Sequence, residues 1–284
     1  LFKQNGYKNP VKIMKKIIEL YEYYFANTNN ANNTNNTNNI ILREAQEFKS
    51  SPAASATDIF NNIYGIGPAK IRTLISNNIY NITQLRQALN ETPSLLNNKQ
   101  KIGLKYYEDL VERIPRSEIT KFRNKIQTLI EKTYGNDIQM TIAGSYRRGV
   151  KSSGDIDMLI TSHKYEGKSL KMVLELLEKT NMIHEILAKG LKKFMGIIRV
   201  TKSGRARHLD IVETTPADYP FAMLYFTGSA QHNIQMRKHA LSLGYSLNEY
   251  DMTLKGTKTR VPPDQIQATI GKPSFETEQD IFQF

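Results

Sequence analysis

Apolar residues recur at helical spacing in some stretches of this chain and alternate with polar ones in others, and the order of the two patterns outlines its organisation. Residues 10–25 carry Ile13, Ile17, Leu20, Tyr21 and Tyr24, which predicts a helix. The tract 27–39 is almost entirely Asn and Thr and cannot bury apolar area, so a disordered loop is expected there. A small helical domain is expected over 58–116, with Gly65-Ile66-Gly67-Pro68 between a short helix and one beginning near Ala69, Pro68 standing in a first turn. Ser117 is expected to cap a helix running to about Lys132 on Ile119, Phe122, Ile126, Leu129 and Ile130. Strands are predicted at 139–143 and 155–161, a helix at 169–179, and further strands at 196–201 and 208–213. The chain then turns helix-rich over 221–243, before short strands and turns near 246–263. A mixed sheet backed by helices follows, an α+β catalytic unit.

The strand at 155–161 carries the first chemistry. Its alternation puts Asp155, Asp157 and Leu159 on one side and Ile156, Met158 and Ile160 on the other, so two carboxylates share a face. Two like charges roughly 7 Å apart along a strand repel unless a divalent cation lies between them, and oxygen-rich sites of this kind suit Mg²⁺. In Arg207-His208-Leu209-Asp210-Ile211-Val212, the apolar Leu209 and Ile211 alternate with Asp210, which makes it the third acid. If the two strands pair, three carboxylates meet on one patch and can hold two metals about 4 Å apart, with Asp210 as proton acceptor from a primer hydroxyl. A lone Asp-x-Asp is more often a solvated strand edge, but Gly144-Ser145 follows the apolar strand 139–143. There exposed amides and the Ser145 hydroxyl can cradle a triphosphate, with Arg148 as a charge-assisted clamp. Together these read as nucleotidyl transfer.

Composition narrows the partner. Lys plus Arg number 39 against 27 Asp plus Glu, a net charge of +12 that suits a polyanion. There is no cysteine, which excludes disulfides, thiolate zinc sites and cysteine nucleophiles. His184, His232 and His239 have no spacing to other ligands that would make a zinc site. No apolar run reaches the roughly 18 residues that span a bilayer, and no cleavable signal is visible, so a soluble intracellular chain without membrane partners is expected. It begins at Leu1 rather than Met, which is read as a processed or truncated form.

Four motifs, in this order and spacing, resemble the X family of DNA polymerases, the group that includes DNA polymerase beta. They are Gly65-Ile66-Gly67-Pro68; Ile102-Gly103-Leu104-Lys105-Tyr106-Tyr107 with Arg113-Ile114-Pro115-Arg116; the cradle and acids from Gly144 to Asp157; and Leu224-Tyr225-Phe226-Thr227-Gly228-Ser229 with Asn233 and Arg237. The resemblance implies that Asp155 and Asp157 bridge two Mg²⁺ ions, Mn²⁺ being a possible substitute, while Asp210 serves the ion that activates the primer 3′-hydroxyl. Ser145, Arg148, Gly154 and Arg113 would contact the triphosphate. Tyr225, Phe226 and Gly228 would pack against the sugar, with the Tyr225 carbonyl crowding a ribose 2′-hydroxyl. Asn233 would read the incoming base and Arg237 the template side. Gly65, Gly67 and Lys70 fall in what looks like a helix-hairpin-helix, a sequence-independent grip on DNA phosphate. By the same resemblance its Asn61, Ile63 and Ile66 carbonyls would hold Na⁺ or K⁺.

This chain departs from the polymerase beta pattern at His208, Val212, Ala230 and Ile234, where the family enzyme has charged residues, so altered fidelity and closing dynamics are expected. Residues 5–20 resemble the first hairpin of the family's lyase domain, and Lys15 or Lys16, with Lys16 preferred, would be the Schiff-base nucleophile. Neither has evident burial to depress its pKa, so little lyase activity is expected.

The expected domains are a lyase-like remnant at 1–50 with the Asn-rich insert, a helix-hairpin-helix domain at 51–116, a nucleotidyltransferase palm at 117–215 and a nucleotide-selection subdomain at 216–284, truncated at its end. The expected function is a monomeric, template-directed, Mg²⁺-dependent DNA polymerase that fills gapped or nicked double-stranded DNA with deoxynucleoside triphosphates, as in base excision repair. Its compartment is expected to be the nucleus or a viral or cytoplasmic site of DNA processing. A terminal transferase is the alternative within enzymes, and a catalytically silent DNA-end-binding module the alternative outside them.

Overall fold

The computed structural model describes residues 51–201 and 203–284; the expectations for 1–50, including Lys15, Lys16 and the Asn-rich tract, lie outside it. Contacts divide the chain into two units between Tyr107 and Glu108.

The described part of the first unit is helical: α1 (Pro52–Asn61), α2 (Pro68–Ser76), α3 (Ile82–Glu91), a 3₁₀ turn at Pro93–Leu95 and α4 (Asn98–Lys105). Local chemistry sets the starts of these helices. Ser51 and Asn81 cap α1 and α3, and Asn97 with Gln100 forms a reciprocal capping box at α4. Pro68 is the first residue of α2, as predicted, where its missing N–H costs nothing. Phe60, Ile63, Leu74, Leu85, Leu96 and Leu104 form the core. Gly103 is needed for this packing, because a Cβ there would fall 2.3 Å from the Tyr64 carbonyl oxygen.

The second unit begins inside α5 (Tyr107–Val111), followed by β1 (Ile114–Pro115) and α6 (Arg116–Tyr134). The expected domain limit at 116 thus falls later than the division by contacts. The reason is that β1 pairs with β3 (Ser152–Ser153), which ties the segment after Tyr107 to the sheet side of the chain. Ser117 does not cap α6; the helix starts one residue earlier, behind Pro115, and no side chain caps it.

Five strands make the main sheet: β2 (Gln139–Ile142), β4 (Ile156–Thr161), β5 (Ile183–Lys189), β6 (Lys193–Arg199) and β7 (Ala206–Glu213), in the order β2-β4-β7-β6-β5. Only β4 and β7 run parallel; the other pairs are antiparallel. Strand β5 was not foreseen. It is an edge strand with two register shifts against β6, so its apolar residues do not keep a clean alternation. One face of the sheet, with Ile156, Met158, Ile160, Leu209 and Ile211, packs on Phe122 and Ile126 of α6 and on Leu170, Val173 and Leu177 of α8 (Ser169–Lys179). The Glu213 carboxylate, at the end of β7, accepts hydrogen bonds from Ser169 N at 3.2 Å and Leu170 N at 3.1 Å, satisfying free amides at the start of α8.

On the opposite face Leu159 and Ala143 meet Ala222 and Met223 of α9 (Tyr219–Thr227). Phe221 and Leu224 of the same helix enter a second core with α10 (Ala230–Ser242), the hairpin β8 (Tyr245–Leu247) and β9 (Met252–Leu254), α11 (Pro263–Ile270) and α12 (Glu278–Gln283). Helix α9 is apolar all round because it is buried on two sides. It ends at Gly228, whose φ of +64° breaks the expected helix-rich run 221–243 into two helices.

Candidate active site

The register of β4 and β7 sets the geometry, for it places Asp157 directly opposite Asp210. Paired residues on adjacent strands face the same way, with backbones about 4.8 Å apart. Asp155 lies one residue ahead of β4 and is exposed, whereas Asp157 and Asp210 are half-buried.

The cradle leans on one of these acids. Strand β2 ends at Ile142, and the chain then turns into α7 (Gly144–Arg147), a single helical turn. Ala143 N donates to the Asp157 carbonyl at 2.8 Å. Gly144 has a φ of +55°, and a Cβ on it would stand 1.9 Å from Asp157 Oδ2. Glycine is therefore required twice, by the backbone and by the carboxylate.

Burial pushes the Asp157 carboxyl up to about 7, with Asp155 and Asp210 adding to the rise while Arg148 and Lys193 oppose it. Asp210 is also raised, by burial, against the pull of His208 and Lys193. Lys193 Nζ lies 3.7 Å from Asp210 Oδ2 and His208 Nε2 lies 3.5 Å from Oδ1, yet Oδ1 is shielded from solvent and makes no hydrogen bond. As the side chains stand, no three His, Asp or Glu groups among the described residues are gathered closely enough to hold an ion. Asp210 is paired instead with the Lys193 ammonium beside it. Oxygen donors with raised pKa values and an unsatisfied acceptor nevertheless fit a hard divalent cation.

A stability test follows from Asp157. Its folded pKa stands above the unfolded value of roughly 3.9, so the unfolded chain releases this proton first. Stability is therefore lost as pH rises from about 4 to about 7, and the full cost, on the order of 2–4 kcal/mol, persists above that window. Asp157→Asn is expected to raise the thermal midpoint of the metal-free protein at pH 7.5 by several degrees. Mg²⁺ should stabilise the unaltered chain at pH 7.5 and have little effect at pH 4.5. Thermal melts at both pH values check this; a lower midpoint for the variant at pH 7.5 would contradict it.

The remaining predicted residues fall into place unevenly. Arg148 donates to the Thr227 carbonyl at the end of α9 and also acts on Asp157, so it joins the cradle, the acids and the Gly228 turn. Arg113 is bonded to Ser152, through Nε to Oγ at 2.8 Å, beside the loop holding Gly154 and Asp155. Tyr225 and Phe226 are half-buried with their rings edge to face at 5.2 Å. Asn233 Nδ2 donates to the Tyr225 carbonyl at 2.8 Å, and Tyr225, Asn233 and Arg237 line one hollow. In the first unit, Lys70 Nζ donates to the Leu95 carbonyl at 2.9 Å, an internal bond that the sequence does not announce. The Ile63 carbonyl accepts from Ile66 N at 3.1 Å, which closes the hairpin turn.

Two contacts were not anticipated. Lys193 reaches Asp210 because β6 pairs antiparallel to β7, a register the sequence does not specify. Arg147 bonds Glu278 at 2.8 Å and Thr227 Oγ1 at 2.8 Å, tying α7 to α12 and α9, which lie 131 and 80 residues further along the chain.

Comparison with known proteins matches the chain in three successive parts. Residues 58–111 match the fingers domain of DNA polymerase lambda, 113–216 the DNA polymerase beta palm and 222–284 the DNA polymerase beta thumb. The chain is similar to DNA polymerase lambda of Rattus norvegicus, 26% identical over 82% of this chain and 40% of that protein. It is likewise similar to DNA polymerase lambda of Arabidopsis thaliana, 27% identical over 73% of this chain and 40% of the relative. The DNA polymerase type-X family protein pol4 of Schizosaccharomyces pombe is 27% identical over 86% of this chain and 48% of its own length. The chain thus spans less than half the length of each of these relatives. With three domain types matched in succession and paired acids set against a glycine cradle in the palm, the chain belongs to the X family of DNA polymerases.

Proposed function

We propose that this chain is the catalytic part of a template-directed DNA polymerase that adds deoxynucleotides to a primer 3′-hydroxyl in short gaps or nicks. The observation that carries the reading is the register of Asp157 against Asp210 with Gly144 packed on Asp157. Asp155, Asp157 and Asp210 would hold two Mg²⁺ ions, which when bound supply Lewis acidity to the triphosphate and lower the pKa of the primer hydroxyl. Asp210 accepts the hydroxyl proton. Gly144 and Ser145 present amides and a hydroxyl to the triphosphate from the first turn of α7, and Arg148 adds charge once released from the Thr227 carbonyl. Arg113 and Gly154 complete that wall.

Tyr225, Phe226 and Gly228 form the floor under the sugar, and Asn233 steadies the Tyr225 carbonyl that excludes a 2′-hydroxyl. Arg237 stands exposed on α10 for the template strand. Gap filling of this kind places the chain in DNA repair, acting as a monomer. Among the described residues no helix is long and apolar enough to cross a membrane. Template dependence is supported by the short connection between β6 and β7, residues 200–205. To test it, a primer is offered each of the four deoxynucleotides opposite a defined base, and then with no template strand. Incorporation confined to the matching nucleotide is expected; equal addition without template would make the chain a terminal transferase.

The α1–α2 hairpin is proposed to hold DNA phosphate through backbone amides near Gly65 and Gly67, with the Asn61, Ile63 and Ile66 carbonyls around Na⁺ or K⁺. Gly67 has a φ of −108°, and a Cβ on it would meet nothing within 4 Å, so the fold tolerates a side chain there. Gly67→Val is therefore expected to fold normally yet bind gapped DNA severalfold more weakly, with sequence preference unchanged and a steep salt dependence retained. Equal affinity in titrations of the two proteins would reduce the turn to a structural element.

A further inference from the structure

Arg207 is a buried cation, 3% exposed, for which nucleotidyl transfer gives no direct task. It stands in β7 three residues before Asp210. Its Nε and Nη2 grip the two oxygens of Glu118, each at 2.9 Å, and Nη1 donates to the Glu112 carbonyl at 3.0 Å and the Asp109 carbonyl at 3.4 Å. Neighbouring contacts point the same way. Ala206 N donates to Asp109 Oδ2 at 2.8 Å, Arg199 Nη2 lies 3.6 Å from the same oxygen, and Arg205 pairs with Glu112. The segment from Asp109 to Glu118 is thereby fastened to the β6–β7 end that leads to Asp210.

That segment also holds the residues that lead into Asp155. It contains Arg113, bonded to Ser152, and β1, which pairs with β3; Arg116 N donates to the Lys151 carbonyl at 3.0 Å. Strand β3 ends at Ser153, two residues before Asp155. Asp155 lies outside β4, so its position relative to Asp210 is set by the first residue of that strand on one side and by the β3–β1–Arg207 route on the other.

We infer that Arg207, through Glu118, is a positioning residue that sets Asp155 and Arg113 against Asp210. A bidentate guanidinium suits the task, since its planar fork fixes direction as well as distance. Glu118 opens the first turn of α6, where a carboxylate is favoured, and so offers a firm anchor. The inference rests on the proposal that the three acids hold divalent ions.

The test is Mn²⁺ binding to the full chain, read by electron paramagnetic resonance without DNA or nucleotide, together with gap-filling kinetics. Glu118→Gln and Arg207→Lys are each expected to weaken Mn²⁺ binding about tenfold, the size seen when the support of a metal ligand is lost. Both should lower kcat with affinity for gapped DNA unchanged, and the double variant should be no worse than Arg207→Lys alone. Unchanged Mn²⁺ affinity in folded Glu118→Gln would overturn the inference, and that variant decides alone if Arg207→Lys does not fold. No Mn²⁺ binding by the unaltered chain would instead remove the metal reading, and this role with it. Normal binding by the unaltered chain beside unaffected binding in Glu118→Gln removes the role of Arg207 only.

Discussion

Asp210→Asn is expected to lower nucleotide addition by about 10²–10⁴-fold, the range lost with a general base, while affinity for gapped DNA stays the same or rises slightly. The amide keeps the shape of the side chain and its place opposite Asp157 but can neither accept the hydroxyl proton nor match a carboxylate as a ligand. Its burial against Lys193 also predicts a structural side effect, because that cation loses the charge that faces it. Substantial single-turnover extension by the folded variant with Mg²⁺ would sink the three-carboxylate assignment.

Gly144→Ala is the second change with a large expected effect. A methyl group there would need the space that Asp157 Oδ2 occupies, 1.9 Å away, and would also stand at a φ of +55°. The conflict is resolved by displacing the carboxylate or by unwinding the first turn of α7. A displacement of about 1 Å at a reacting centre costs on the order of 100-fold in rate, and both routes move a group that the proposed function uses. Gap-filling rates should fall by at least that factor, with a drop of several degrees in the thermal midpoint. A variant with unaltered kcat would show that the cradle adapts and that Gly144 is there for the turn alone.

The elements that were legible are those whose pattern is local. Helix α8 was read to the residue from Leu170, Val173, Leu174 and Leu177, and the two acid-bearing strands from simple alternation, because one face of each is buried against helices. Pro68 and Gly65-Ile66-Gly67 marked the hairpin for the same reason. What escaped depends on distant partners. Strand β5 is irregular at the sheet edge, so its side chains do not report a face. The start of α6 was misplaced because β1, only two residues long, takes Ile114 and Pro115 into a pairing with residues nearly forty positions away.

The site shows the same division. The identities of Asp155, Asp157, Asp210, Gly144 and Arg148 carry their chemistry on their face, and their spacing suggested one patch. Lys193 beside Asp210, Arg147 on Glu278 and the Arg207–Glu118 fork are ordinary charges in the sequence; only register and packing bring each to its partner. Lys70 shows the converse, a basic residue next to the α1–α2 turn that folding ties to the Leu95 carbonyl.

The most direct measurement is extension of a primer across a one-nucleotide gap by the purified chain, with Mg²⁺ and a single deoxynucleoside triphosphate. The proposed function predicts a product one nucleotide longer when the triphosphate matches the template base, and none when Mg²⁺ is chelated or Asp210 is replaced by Asn. Absence of extension by a folded, DNA-bound chain supplied with the matching nucleotide and Mg²⁺ would contradict it.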